Sequence, residues 1–309
     1  MSIIDFSNLI KFNKIWKSMP FKNAEDRQLL MDFTKKILLS ENQEEVKQHE
    51  KDELTYLLKN HYPFFHLLSK EISENYYAFS NNKRLLWIYL SIALYNDNID
   101  EVIDPDDLDN LQDIFSKEKT SSTPIILAPF HIGVHTLTAA IASKYIGRTV
   151  CMVNKPEFKL IDEWREEYLF LDESNNITMV PIPSQTSPLK FAKLILRGST
   201  GIMFPEFSYG INQDFERVNF LGGTLDVPIG VYVLAKKFNA NVLPIASAWD
   251  EKSKRLRFMV GKTLTTDNQS QHQFLQLLFN QGENWVKTYP EQFYWDYIVE
   301  HHNGLPSPI

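Results

Sequence analysis

The stretch Pro124 to Thr136, PIILAPFHIGVHT, decides the fold class. Its first seven residues carry no charged or hydrogen-bonding side chain, and a glycine-containing turn follows them. A short run with no polar alternate reads as a strand buried on both faces. Behind the turn, Leu137, Ala140, Ile141 and Tyr145 recur at helical spacing. Four more β-rich runs follow: TVCMVN (Thr149 to Asn154), ITMVPI (Ile177 to Ile182), GIMFP (Gly201 to Pro205) and VLPIASA (Val242 to Ala248). Helical segments separate them. Strand, helix, strand repetition predicts an α/β fold, a mainly parallel sheet flanked by helices. The chemistry is then expected at the carboxyl ends of the strands.

Upstream the pattern differs. From Ile3 to Phe115 helical periodicity is broken only at Pro20, Pro63 and Pro105. A polar connector, SKEKTSSTP, spans Ser116 to Pro124. This predicts an N-terminal helical subdomain over residues 1–119 and an α/β catalytic core over residues 120–309. The longest apolar stretch, Leu85 to Tyr95 (LLWIYLSIALY), is about half of the ~20 residues that span a bilayer and reads as a buried helix. Asp5, Asn8, Lys11 and Asn13 interrupt the start of the chain, so no secretory signal is expected and the mature chain is expected to be the whole chain. Ile3, Ile4, Phe6, Leu9, Ile10, Phe12, Ile15 and Trp16, with Lys11, Lys14 and Lys17 among them, form either a packed first helix or one that lies on a membrane surface.

The 309 residues suffice for a large core without staples. A net charge of −7 argues against a nonspecific grip on nucleic acid. A hydrophobic fraction of 43% excludes a disordered chain. The lone Cys151 allows no internal disulfide and fits a reducing, cytoplasmic compartment.

Three segments carry candidate chemistry. In APFHIGVHT, His131 falls on the turn from strand to helix, where helix-start amides hold anions and substrate reaches a base. His135 lies four residues on, and Thr136 about 140° further round than His131 by the helical period. In GIMFPEFSYG a strand delivers Pro205 and Glu206 to a loop that also carries Ser208. Adjacent parallel strands lie ~5 Å apart, so Glu206 or His135 is expected within hydrogen-bonding reach of His131 or of the bound nucleophile. In FLGGTLDVPIGVYVLAKKFNANVLPIA, Gly222 and Gly223 make either a tight turn or a place where backbone approaches a ligand. Asp226 is expected as a helix N-cap, with Pro228 in the first helical turn and a strand after Asn239.

Rival chemistries use the same residues. His131 and His135 have the spacing of two zinc ligands on a helix, with Glu206 as third ligand, but HIGVH lacks the Glu of HExxH. No metal and no cofactor is therefore expected. Around Ser208, EFSYG has Glu206 where GxSxG needs its first glycine, which weakens a serine hydrolase. His135 reads equally as a helix residue that only packs.

The histidine turn, the strand ending FPE, FLGG leading to VPIGVYVLAKKFNANVLPIA, and the terminal YPEQFYWDY occur in an order that resembles the HtrB-like lipid A late acyltransferases of the lysophospholipid acyltransferase superfamily. The likeness runs from Pro124 to Tyr297. It implies an αβ core and transfer of an acyl group from a thioester, on acyl carrier protein or coenzyme A, to a lipid acceptor. It makes His131 the general base of an HxxxxD or HxxxxE motif and Glu206 the acid of the FPE block. It sets Lys155, in VNKPEF, where many relatives have Arg, and with Pro205, Ser208, Gly222 and Gly223 it is assigned to substrate binding.

Two departures follow. The acid five residues after His131 is here Thr136, and the family's N-terminal transmembrane segment is missing, which implies a soluble or peripheral protein on the inner face of the membrane. A positioned acid can be worth ~10⁴ in rate, so its loss favours an amine acceptor, or aminoacyl transfer, over an ordinary hydroxyl. The opposite reading is a catalytically inactive subunit that binds lipid or carrier protein.

Overall fold

A computed structural model describes residues 48–95, 99–154, 177–182, 186–206 and 214–295, together with Ile298. The N-terminal stripe, Lys155 and Ser208 lie outside the described residues.

Among the described residues four helices come first: α1 (Gln48–His61), α2 (Ser69–Tyr95), α3 (Ile99–Val102) and α4 (Pro105–Thr120), with a 3-10 turn at Pro63–Phe65. Among the described residues no helix is long and apolar enough to cross a membrane. Helix α4 starts where Asp104 accepts the Asp106 N–H at 3.2 Å and Pro105 takes the first position, which needs no donor.

The core then alternates: β1 (Ile125–Pro129), α5 (His135–Ile146), β2 (Thr149–Asn154), β3 (Ile177–Ile182), α6 (Ser187–Leu196), β4 (Thr200–Ile202). A hairpin of β5 (Phe215–Phe220) and β6 (Gly223–Pro228) follows, then α7 (Gly230–Phe238), β7 (Asn241–Asp250), β8 (Arg255–Val260) and α8 (Gln271–Thr288). Six strands form one sheet in the order β3-β2-β4-β1-β7-β8. All neighbours are parallel except β7 and β8, so the expected α/β fold with a mainly parallel sheet is what the chain forms.

All five residues of β1 are buried, and their side chains alternate between two cores. Ile126, Ala128 and Phe130 join Phe191, Ile195, Val231, Phe274 and Phe279 on one face. Ile125 and Leu127 join Leu137, Ile141, Ile202 and Ile245 on the other. The helices ahead of β1 contribute to both. Leu54 and Leu58 of α1 lie in the first cluster, while Leu90, Leu111 and Phe115 of α2 and α4 lie in the second. In the stretch Leu85 to Tyr95, Leu90 is buried and Leu86 and Leu94 are half-buried against the second cluster.

Two expectations are corrected. Asp226 does not cap a helix, and Pro228 does not open one. Both lie in β6, where Asp226 pairs with Arg217 of β5 across the hairpin, Nε to Oδ1 at 2.7 Å. The alternation in FERVNF and TLDVP carried a strand signal, and the helix begins only at Gly230, after Ile229. The hairpin and the edge strand β8 escaped the sequence reading.

Candidate active site

His131 sits just past β1, in a turn held on three sides. The Phe130 N–H donates to the Ile245 carbonyl at 2.9 Å, which extends the line of the sheet. Gly133 takes φ +59°, and an added Cβ there would run into the Ser247 carbonyl, so the turn admits only glycine. The terminal segment supplies the rest. Gly133 donates to the Gln292 carbonyl at 2.8 Å, and Tyr294 donates to the His131 carbonyl at 2.9 Å. Gln292 is itself anchored in the core: its amide accepts from the Trp249 N–H at 2.8 Å and donates to the Trp249 carbonyl at 2.7 Å. The YPEQFYW sequence thus clamps the histidine turn against β7.

The next strand over completes the centre. Strand β4 pairs with β1, Ile126 opposite Gly201 and Leu127 opposite Ile202, although β2 and β3 separate them in sequence. The chain leaving β4 therefore carries Phe204, Pro205 and Glu206 alongside the His131 turn. Glu206 Oε1 accepts the His131 backbone N–H at 2.5 Å and stands 3.3 Å from Nδ1 of the ring. Glu206 is 3% exposed, and its Oε2 has no hydrogen-bond partner among the described residues. A buried carboxylate with one oxygen unmet is costly to keep. The expectation that Glu206 or His135 reaches His131 is met by Glu206.

His131 is 7% exposed. Its ring lies 4.3 Å, centroid to centroid, from Phe204, 4.4 Å from His135 and 6.1 Å from Tyr294. A correction concerns the pair of histidines. His131 precedes α5 and His135 opens it, so they are not one turn apart on a common helix. The Lys83 ammonium, from α2, lies 3.5 Å from His135 Nδ1 and 5.3 Å from the Tyr294 ring centre. Burial, then the Lys83 charge, then His131 push the His135 imidazole well below the usual histidine range, so it is neutral at neutral pH.

A metal has little to hold it here. Among the described residues no group of three or more His, Cys, Asp or Glu side chains is placed to hold an ion. An ammonium against His135 also opposes a second cation.

Pro205 is buried beside Glu206. Thr136 lies in the first turn of α5, and its side chain is outside the described ones. Gly222 and Gly223 lie at the hairpin turn against residues 61–64. Leu221 and Gly222 both have positive φ, as the tightest hairpin turns require. A Cβ on Gly223 would overlap the His61 carbonyl at the end of α1, and Phe64 donates to Leu221. The pair seats the helical region on the hairpin.

Sequence reasoning missed Lys83, Phe204 and Tyr294 as members of the site. Phe204 and Tyr294 lay inside quoted motifs. Lys83 had no signal beyond being a cation near the start of an apolar stretch.

A search of curated proteins found no match. The sequence model of the family described as bacterial lipid A biosynthesis acyltransferase matches residues 85–296, which is more than half of the chain and includes the histidine turn, Glu206 and the terminal clamp. The chain belongs to the bacterial lipid A biosynthesis acyltransferase family.

Proposed function

We propose that the protein moves an acyl or aminoacyl group from a thioester, on acyl carrier protein or coenzyme A, to an amine or hydroxyl of a lipid or other amine-containing acceptor, with His131 as general base. One observation carries this reading: a buried carboxylate, Glu206, 3.3 Å from the ring nitrogen of His131. It stands in for the acid that the family motif places five residues after the histidine, where this chain has Thr136. With Nδ1–H directed to Glu206, the lone pair is on Nε2.

The acceptor N–H or O–H attacks the thioester carbonyl carbon and gives its proton to Nε2. The new C–N or C–O bond forms as the carbonyl electron pair moves onto oxygen. Collapse restores the carbonyl, breaks the C–S bond and releases a thiolate that takes the proton back from the imidazolium. Glu206 stabilises that imidazolium. Its second oxygen, unmet by described residues, suits a donor on the acceptor and favours an amine, which carries donors to spare. The lone Cys151, which allows no internal disulfide, supports a cytoplasmic setting for the reaction, and the family's lipid acceptor supports the inner face of the membrane.

A catalytically inactive binding subunit is what Thr136 alone would suggest. Glu206 against His131 speaks for a working base. Mass spectrometry of reactions pairing acyl- or aminoacyl-loaded carrier protein, or acyl-coenzyme A, with lipid and polyamine acceptors tests the reading. Product from the wild type, lost in His131→Gln and His131→Ala, is the expected result. A His131 variant that keeps most of its turnover overturns the base assignment, and tight carrier binding without product for any pair assigns a binding subunit.

A further inference from the structure

Lys83 enters the active site from the helical region ahead of β1, and nothing in the histidine and FPE motifs accounts for it. Its Nζ lies 3.5 Å from Nδ1 of His135. An ammonium only donates, so it approaches an imidazole nitrogen favourably only where that nitrogen carries a lone pair. His135 is then protonated on Nε2 alone. A second proton, on Nδ1, would set two cations against each other, with the His131 ring only 4.4 Å from His135.

Among the described residues, the groups facing His135 come from four elements: Lys83 from α2, His131 from the turn after β1, Phe204 from the segment after β4, and Tyr294 from the terminal clamp. The Glu206 carboxylate lies against His131. The two histidines therefore have opposite neighbours. A negative charge adjoins the ring that must become an imidazolium, and a positive charge adjoins the ring that must not. Environments that push two like groups apart mark a division of acid and base roles.

We propose that Lys83 and His135 are the polarising half of the active site: the Lys83 ammonium keeps His135 a neutral imidazole with its proton on Nε2, and that N–H donates to the thioester carbonyl oxygen as it becomes an oxyanion. The inference rests on the acyl-transfer reading and deepens it. While His131 takes the acceptor's proton and the new bond forms at carbon, the carbonyl electron pair moves to the oxygen that His135 meets. When the carbonyl re-forms and the thiolate leaves, the His135 proton has not moved. A neutral imidazole suits this role because it polarises a carbonyl without surrendering its proton. Lys83 acts through His135 and is a positioning residue.

The test uses the full chain with ¹⁵N-labelled histidine and long-range ¹H–¹⁵N spectra, His135 being assigned from His135→Gln. The expected wild-type spectrum shows His135 protonated on Nε2, bare on Nδ1 and unchanged from about pH 8 to about pH 5.5, a range that spans the ordinary histidine titration. In Lys83→Met its titration moves up in pH, while Lys83→Arg, which keeps the cation, restores it. In transfer assays His135→Leu lowers kcat by about 10² to 10³, the loss typical of one oxyanion donor, with KM within a few-fold of wild type. His135→Gln keeps a donor and stays at least about tenfold above His135→Leu. A wild-type His135 carrying its proton on Nδ1 overturns the proposal. So does an unchanged titration in a folded Lys83→Met, or a folded His135→Leu with wild-type kcat. The spectra need no turnover, so a wild type that transfers nothing sinks the acyl-transfer reading while the Lys83 and His135 pairing is still decided.

Discussion

Replacing Glu206 with Gln removes one charge and little else. The Gln carbonyl can still accept the His131 N–H, as Oε1 does at 2.5 Å, so the turn keeps its shape. The loss falls on the transition state, where His131 has taken a proton and faces the carboxylate across 3.3 Å. At an effective dielectric near 20, unit charges at the 3.3 Å of this pair attract by about 5 kcal/mol. This attraction acts once His131 has taken the acceptor's proton, so the expected fall in kcat is about 10³ to 10⁴, at about 1.4 kcal/mol per decade. That matches the ~10⁴ lost when a triad carboxylate is neutralised. KM should change by no more than a few-fold, because the charge acts after the substrate has bound. Steady-state release of free thiol from the thioester donor measures kcat and KM, with thermal unfolding as the control. Thr136→Asp in the Glu206→Gln background returns an acid to the family position and should recover part of the rate. A folded Glu206→Gln protein with wild-type kcat refutes the assignment of Glu206 as partner to His131.

Three further outcomes test the architecture. Gly133→Ala forces a side chain into φ +59° and against the Ser247 carbonyl, so a loss of at least about 2 kcal/mol is expected in urea unfolding, and an unchanged midpoint would contradict the turn geometry. Gln292→Ala removes the side-chain partner of the Trp249 N–H and of its carbonyl, which at about 1–3 kcal/mol for each of the two groups predicts about 2–6 kcal/mol less stability, and it frees the clamp on His131, so kcat should fall as well. The depressed His135 sets a pH dependence. The unfolded chain binds a proton there below about pH 6.5 while the folded protein does not, so stability present above that pH is lost on acidification, by up to about 1.4 kcal/mol per pH unit. His135→Gln should show a shallower decline in melting temperature between about pH 7 and about pH 5.5, and an equal decline would assign the loss to other groups.

Local pattern alone identified much of this protein. The runs TVCMVN and ITMVPI match β2 and β3 residue for residue, because both are rich in β-branched and other apolar residues, a strand preference that the chain states locally. The turn after PIILAPF placed His131, and the ordered motifs pointed to the family. The edge strand β8 was missed although RLRFMV alternates, burying Leu256 and Phe258 while Arg257 turns outward to Asp107. The glycine pair reads as a tight turn or as a ligand contact, and it makes the tight turn; that Gly223 lies against the His61 carbonyl at the end of α1, more than a hundred residues away in sequence, is shown only by the fold.

What the sequence by itself determined is the kind and order of the parallel strands and of the helices between them, and the two residue types that acid and base chemistry needs. These follow from side-chain periodicity and turn composition, which act over a few residues. Only the tertiary structure decided which strands are neighbours. Strand β4 inserts between β1 and β2, and that one choice brings Glu206 to His131 across 75 positions of chain. It likewise decided that Lys83 meets His135 and that the terminal clamp closes on the turn. Such meetings arise when apolar faces from distant segments are buried together, and no local pattern records them.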